Sequence, residues 1–125
     1  MGRPDEQPWE TTGLASASRT TTQTGPASGE NAKGVIVTLD MTNVAAAPSV
    51  TLRVQGYDLT SDKWYDILVS AAITTAITTV LQVCPGVTDV ANSRSGMRLP
   101  RRWRWLVTAN NANAGTYSVG VCIIP

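Results

Sequence analysis

The sequence predicts an all-β chain: an antiparallel β-sandwich or jelly-roll-like barrel of about seven to eight strands with a flexible N-terminal arm. Three observations predict it. Nearly every apolar run alternates with a period of two, as expected of a strand with one buried face. Between the runs lie clusters of Gly, Pro, Asn, Asp, Ser and Thr, the residues that favour turns. No stretch shows the periodicity of an amphipathic helix.

The clearest unit is central, residues 48–72. Val50, Leu52, Val54 and Gly56 alternate with Thr51, Arg53, Gln55 and Tyr57. Residues 59–63, LTSDK, supply Thr, Ser and Asp that hydrogen-bond their own backbone. Alternation then resumes, with Tyr65, Ile67 and Val69 on one parity and Trp64, Asp66 and Leu68 on the other. Two such runs joined by a short polar link predict an antiparallel hairpin. A lone hairpin is marginal in water, so the rest of the chain must supply partner strands.

In chain order, residues 1–11 hold Pro4, Pro8, four charges and little that is apolar besides Trp9, the composition of an arm. Trp9 is then either an exposed tail residue or an anchor that docks on a neighbour. Residues 14–23 alternate small and polar side chains and predict an edge strand. Residues 24–33 carry turn and loop chemistry throughout. The chain therefore divides into an arm with a first edge strand, residues 1–33, and a β-sandwich domain, residues 34–125. Residues 35–42 place Val35, Val37, Leu39 and Met41 on one face, and residues 43–48 read as a connection. Residues 77–84 predict a strand stopped by Pro85-Gly86, and residues 87–100 form a long irregular stretch of the kind that carries function or an interface. Residues 101–109 put Trp103, Trp105 and Val107 on one face and Arg102, Arg104 and Leu106 on the other. After a turn at residues 110–115, Tyr117, Val119, Val121 and Ile123 share the inner face of the last strand.

Composition narrows the function. Charged residues make up 15% of the chain and the net charge is +1, which gives no field to draw nucleic acid or an anionic membrane. So few charges defend poorly against association. There is no histidine, the commonest general base and metal ligand at neutral pH. GxSxG, P-loop, HExxH and CxxC motifs are also missing. Asp40, Asp58, Asp62 and Asp66 could be offered as paired carboxylates for glycoside hydrolysis, but each sits where a turn-forming or solvated Asp is ordinary. The expectation is a protein that is not an enzyme and takes no cofactor or metal. Cys84 and Cys122 are too few and too far apart for a disulfide framework, which predicts free thiols made in a reducing cytosol. No apolar run is long enough for a transmembrane helix, and the N-terminus lacks the apolar core of a secretory signal.

The aromatics offer two binding readings. Tyr57, Trp64 and Tyr65 could form a sugar-stacking platform, or Trp64 could be a half-buried cross-strand partner. Arg101, Arg102 and Arg104 interleave with Trp103 and Trp105 as in a single-stranded nucleic-acid site. Strand alternation sends those tryptophans and Arg102/Arg104 to opposite faces, which predicts a core tryptophan pair backed by an arginine-lined contact face. Leu68, Leu106, Cys122 and Ile124 fall opposite the inferred core and, with the low charge, predict self-association. The interface candidates are Trp9, Trp64, Arg102, Arg104 and Leu106.

Taken together, GVIVTLDMTNVAAAPSVTLRVQGYDLTSDKWYDILVSAAI, TTVLQVCPG, LPRRWRWLV and TYSVGV resemble a group of small virion structural proteins that tailed bacteriophages encode near their head genes. The likeness runs over residues 34–124. It implies a β-sandwich of the virion, a capsid decoration or cement protein that binds the outer head surface and stabilises the shell. Its partners would be the major capsid protein or other virion proteins, and it would form a homo-oligomer, with a trimer favoured. Nucleic acid and membrane are not expected partners. The alternative is a carbohydrate-binding or host-attachment module of a head fibre, tail or baseplate.

Overall fold

In the computed structural model, residues 10–28 and 32–124 are described. They form strands without any helix: β1 (Glu10–Arg19), β2 (Gln23–Ser28), β3 (Gly34–Asn43), β4 (Val50–Asp58), β5 (Lys63–Val69), β6 (Thr78–Val83), β7 (Arg94–Ser95), β8 (Arg102–Ala109) and β9 (Gly115–Ile124). One sheet has the order β1-β9-β3-β6-β7 and the other β2-β8-β4-β5. The long strands pair in nested fashion: β1 with β9, β2 with β8, β3 with β6, β4 with β5, all antiparallel. The chain is thus one long hairpin whose successive pairs fall alternately into the two sheets. Pairing of β3 with β9 and of β4 with β8 knits the pairs together within each sheet.

Alternation decides which side chains the sheets share. Val35, Val37, Leu39 and Met41 of β3, Leu81 and Val83 of β6, and Tyr117, Val119 and Val121 of β9 are buried. They join Val50, Leu52 and Val54 of β4 and Trp103, Trp105 and Val107 of β8 in a single hydrophobic core. The period-two reading of these five strands holds.

Three segments depart from the sequence expectation. Residues 23–28, predicted mostly as loop, are β2. An edge strand needs a partner on one side only, so Pro26 is tolerated there. Gly25 is required by packing: a Cβ at that position would lie 2.2 Å from the Trp105 ring. At Gly13 of β1 a Cβ would lie 3.1 Å from the same indole, so a glycine from an edge strand of each sheet seats Trp105.

In β5 the predicted parity breaks. Val54 faces Leu68 but Gln55 faces Asp66, so Ile67 is the extra residue of a β-bulge. Leu68, expected opposite the core, is therefore buried in it at 8% exposure. Before the bulge, Trp64 and Asp66 lie opposite Tyr57 and Gln55 on the outer face. Tyr65 turns the other way, over Gly56, where a Cβ would meet its phenol at 2.6 Å.

The irregular stretch after β6 contains β7, which pairs with β6 in parallel. It also contributes Leu99 to the core, with the Leu99 N–H donating to the Lys33 carbonyl at 3.0 Å.

Candidate functional site: an arginine–aromatic sheet face

The outer face of the β2-β8-β4-β5 sheet gathers side chains from three adjacent strands. β8 contributes Arg102, Arg104, Leu106 and Thr108; β4 contributes Arg53, Gln55 and Tyr57; β5 contributes Trp64 and Asp66. Cross-strand register brings them into contact. Tyr57 and Trp64 pair edge to face, with centroids 5.1 Å apart and planes at 63°. The Arg102 guanidinium sits 4.0 Å from the Tyr57 ring centre, and that of Arg104 sits 4.3 Å from Trp64. Each such cation–π contact at an exposed site is worth about 0.5–1 kcal/mol.

A row of hydrogen bonds extends the cluster. Arg104 Nε donates to Gln55 Oε1 at 2.8 Å, and Gln55 Nε2 donates to Asp66 Oδ1 at 2.8 Å. Arg53 donates to the other Asp66 oxygen at 2.7 Å and, through Nε, to Thr108 Oγ1 at 3.1 Å. Gln55, buried at 8% exposure, is the hinge of the row, bonded on both sides.

Asp66 answers the charge of Arg53. Arg102 and Arg104 have no carboxylate partner among the described residues, and no hydrogen bond there uses their terminal guanidinium nitrogens. The rings and Gln55 nevertheless hold both side chains in place. The two arginines stand two residues apart on one strand, so their Cα atoms are about 7 Å apart. Pre-positioned forks of this kind suit bidentate capture of oxyanions, carboxylates above all. Arg, Trp and Tyr are also the residue types that dominate binding energy at protein contacts.

Four of the five sequence candidates fall here or beside it: Trp64, Arg102, Arg104 and the half-buried Leu106 share the face. Trp9 lies outside the described residues. Trp103 and Trp105 are buried, as alternation requires, so they form no platform with the arginines. The rings that do meet Arg102 and Arg104 come from β4 and β5. The roles of Gln55, Arg53 and Asp66 were not visible in sequence, although the parity of β4 already put Arg53, Gln55 and Tyr57 together.

Tyr57, Trp64 and Tyr65 do not make one flat platform. Two meet edge to face under arginines, and the third faces the other way over Gly56. The carboxylates are equally dispersed. Asp40, on the other sheet, accepts from Thr78 Oγ1 at 3.0 Å. Asp58 accepts from the Ser61 hydroxyl at 2.6 Å and its N–H at 3.2 Å, and the hydroxyl bond foremost holds its carboxyl below the usual range. Asp62 sits in the β4–β5 turn at a φ of 57°. Among the described residues no three acidic or thiol side chains cluster as a metal site.

The outer face of the five-stranded sheet is chemically different. β9 shows Thr116, Ser118, Gly120 and Cys122 there, β3 shows Ile36, Thr38 and Asp40, and β6 shows Thr78, Val80 and Gln82. A Cβ built on Gly120 would meet nothing within 4 Å. Cys84 and Cys122 are half-buried, and no disulfide joins them. No helix of the described residues is long and apolar enough to cross a membrane. No protein-family model matches the chain, and no curated protein matches it in sequence.

Proposed function

We propose that the protein is a structural component of a bacteriophage virion, a capsid decoration or cement protein that acts by binding rather than by catalysis. The observation that carries this reading is the arginine–aromatic face, a contact surface held in shape by ring stacking and by the Gln55–Asp66 row. Its partners are copies of itself and the major capsid protein or other virion proteins. Many such contacts repeated by symmetry would stabilise a shell through avidity.

The nested pairing supports a finer statement of fold, the jelly-roll form of the β-sandwich. Apart from the short β7, eight strands pair first with last, second with seventh, third with sixth and fourth with fifth, divided between two sheets. Double-sheet folds of this kind recur in capsid proteins and in lectins. Fold alone therefore does not choose between the shell and the sugar-binding alternative, and the site must. Arginines over both outer rings favour protein contact over sugar stacking.

Quantitative mass spectrometry and a cryo-EM map of purified particles test the proposal. The expected result is a stoichiometric component with sandwich-shaped density on the outer head surface. Finding the protein only in fibre, tail or baseplate, with glycan-array binding that needs Trp64, would move it to the host-attachment alternative.

A further inference from the structure

The described part of the chain leaves Arg102 and Arg104 without carboxylate partners, yet the sequence holds a matching acidic segment. Of its nine acidic residues, three lie within residues 5–10, DEQPWE, with no lysine or arginine between them. Of the described carboxylates beyond the segment, Asp40, Asp58, Asp66 and Asp89 are bonded to Thr78, Ser61, Arg53 with Gln55, and the Gly96 N–H, while Asp62 sits in the β4–β5 turn. Pro4 and Pro8 bias the segment toward an extended form that does not add to a sheet interior. Trp9 supplies one large ring of the kind that packs against an existing aromatic pair.

We infer that residues 4–10 of one copy dock on the arginine–aromatic face of a second copy, with Asp5 and Glu6 taken by Arg102 and Arg104 and Trp9 against the Tyr57–Trp64 pair. This deepens the homo-oligomeric part of the proposal above and rests on it.

Reach favours a second copy as the donor, since only a fully extended segment with its side chains outstretched could meet Arg102 and Arg104 of its own copy. The described chain begins with Glu10 opposite Cys122, on the edge strand of the five-stranded sheet. Asp5 and Glu6 can extend at most about 18 Å and 14 Å from that residue. Passing from one sheet around its edge to the outer face of the other takes roughly 20 Å, since packed sheets lie about 10 Å apart and the guanidinium tips stand above the far side. A segment given to a neighbour meets no such limit. Each copy then gives one segment and receives one, which two copies satisfy by reciprocal exchange and three or more by a closed ring.

Charge reversal tests this on the full-length chain by sedimentation at low and moderate salt. Asp5→Lys with Glu6→Lys reverses the segment; Arg102→Glu with Arg104→Glu reverses the face. Each reversal alone should weaken association about tenfold or more and reverse its salt dependence, since screening then relieves a repulsion. Both reversals in one chain should restore it. Mixing the two singly reversed chains should restore it wherever unlike chains alternate, in a reciprocal dimer or an even-numbered ring, because each acidic segment then finds an arginine face and each basic segment an acidic one. In a trimer one repulsive contact would remain. Trp9→Ala should weaken association with the charges untouched, and it guards against misfolding of the face variant. Association that survives both single reversals, fails to return in the double reversal, or never occurs overturns the inference. The measurement uses isolated protein, so its outcome is independent of whether the protein is found on particles.

Discussion

The two outer sheet faces of this molecule rest on the same core and obey the same alternation, yet they differ in almost every other respect. On the four-stranded sheet, Arg53, Arg102, Arg104 and Asp66 stand among Tyr57, Trp64 and Gln55, tied by hydrogen bonds and stacking. On the five-stranded sheet, β3, β6 and β9 carry a single charge, Asp40, among threonines, serine, glycine and small apolar groups. The difference teaches where specificity resides. A face of fixed guanidiniums and rings discriminates partners by charge and shape, whereas a smooth face with a single charge mainly packs.

The largest effect expected comes from removing what both faces share. Trp105 reaches the edge strands of both sheets through Gly13 and Gly25. Trp105→Ala should destabilise the chain by about 3–5 kcal/mol and lower the melting temperature markedly. A variant that melts like the wild type would show that the faces do not share one core.

A smaller effect separates the faces themselves. In a double-mutant cycle, Trp64→Ala and Arg104→Ala should couple by about 0.5–1 kcal/mol in chemical denaturation. Thr38→Ala and Gln82→Ala, on the smooth face, should add without coupling. Equal coupling on both faces would erase the contrast.

Much of this was legible in sequence because alternation is a local property. Val35 through Met41, Val50 through Val54, Trp103 through Val107 and Tyr117 through Val121 declare their buried faces without help. β2 was not legible, because an edge strand that contains Gly25 and Pro26 has loop composition, and its glycine answers to Trp105 some 80 residues away. Leu68 was assigned to the wrong face because a bulge at Ile67 shifts register without leaving any mark in composition. The site was half legible. Alternation placed Arg102 and Arg104 outward, but their rings come from β4 and β5, and cross-strand register cannot be read along one strand.

The smallest effect belongs to the hairpin turn that ends the arginine–aromatic face. Ser61 holds the Asp58 carboxyl below its ordinary range, so the turn contributes stability above the unfolded carboxylate pKa of about 3.9. That contribution is lost as pH falls through the depressed folded value. Asp58→Ala should therefore melt slightly below the wild type at neutral pH, and the gap should close in acid. A gap that widens in acid would contradict the Ser61 assignment.

The central claim is that the arginine–aromatic face makes the contacts that matter. Its most direct test is occupancy on purified heads lacking the protein, measured for wild type, Arg102→Ala with Arg104→Ala, and Thr38→Ala with Gln82→Ala. The account predicts that all three are folded at the assay temperature, the arginine variant slightly less stable for want of its ring contacts. It predicts that the arginine variant loses most of its occupancy and that the smooth-face variant keeps it. Full occupancy by the arginine variant, with loss confined to the smooth-face variant, would contradict it.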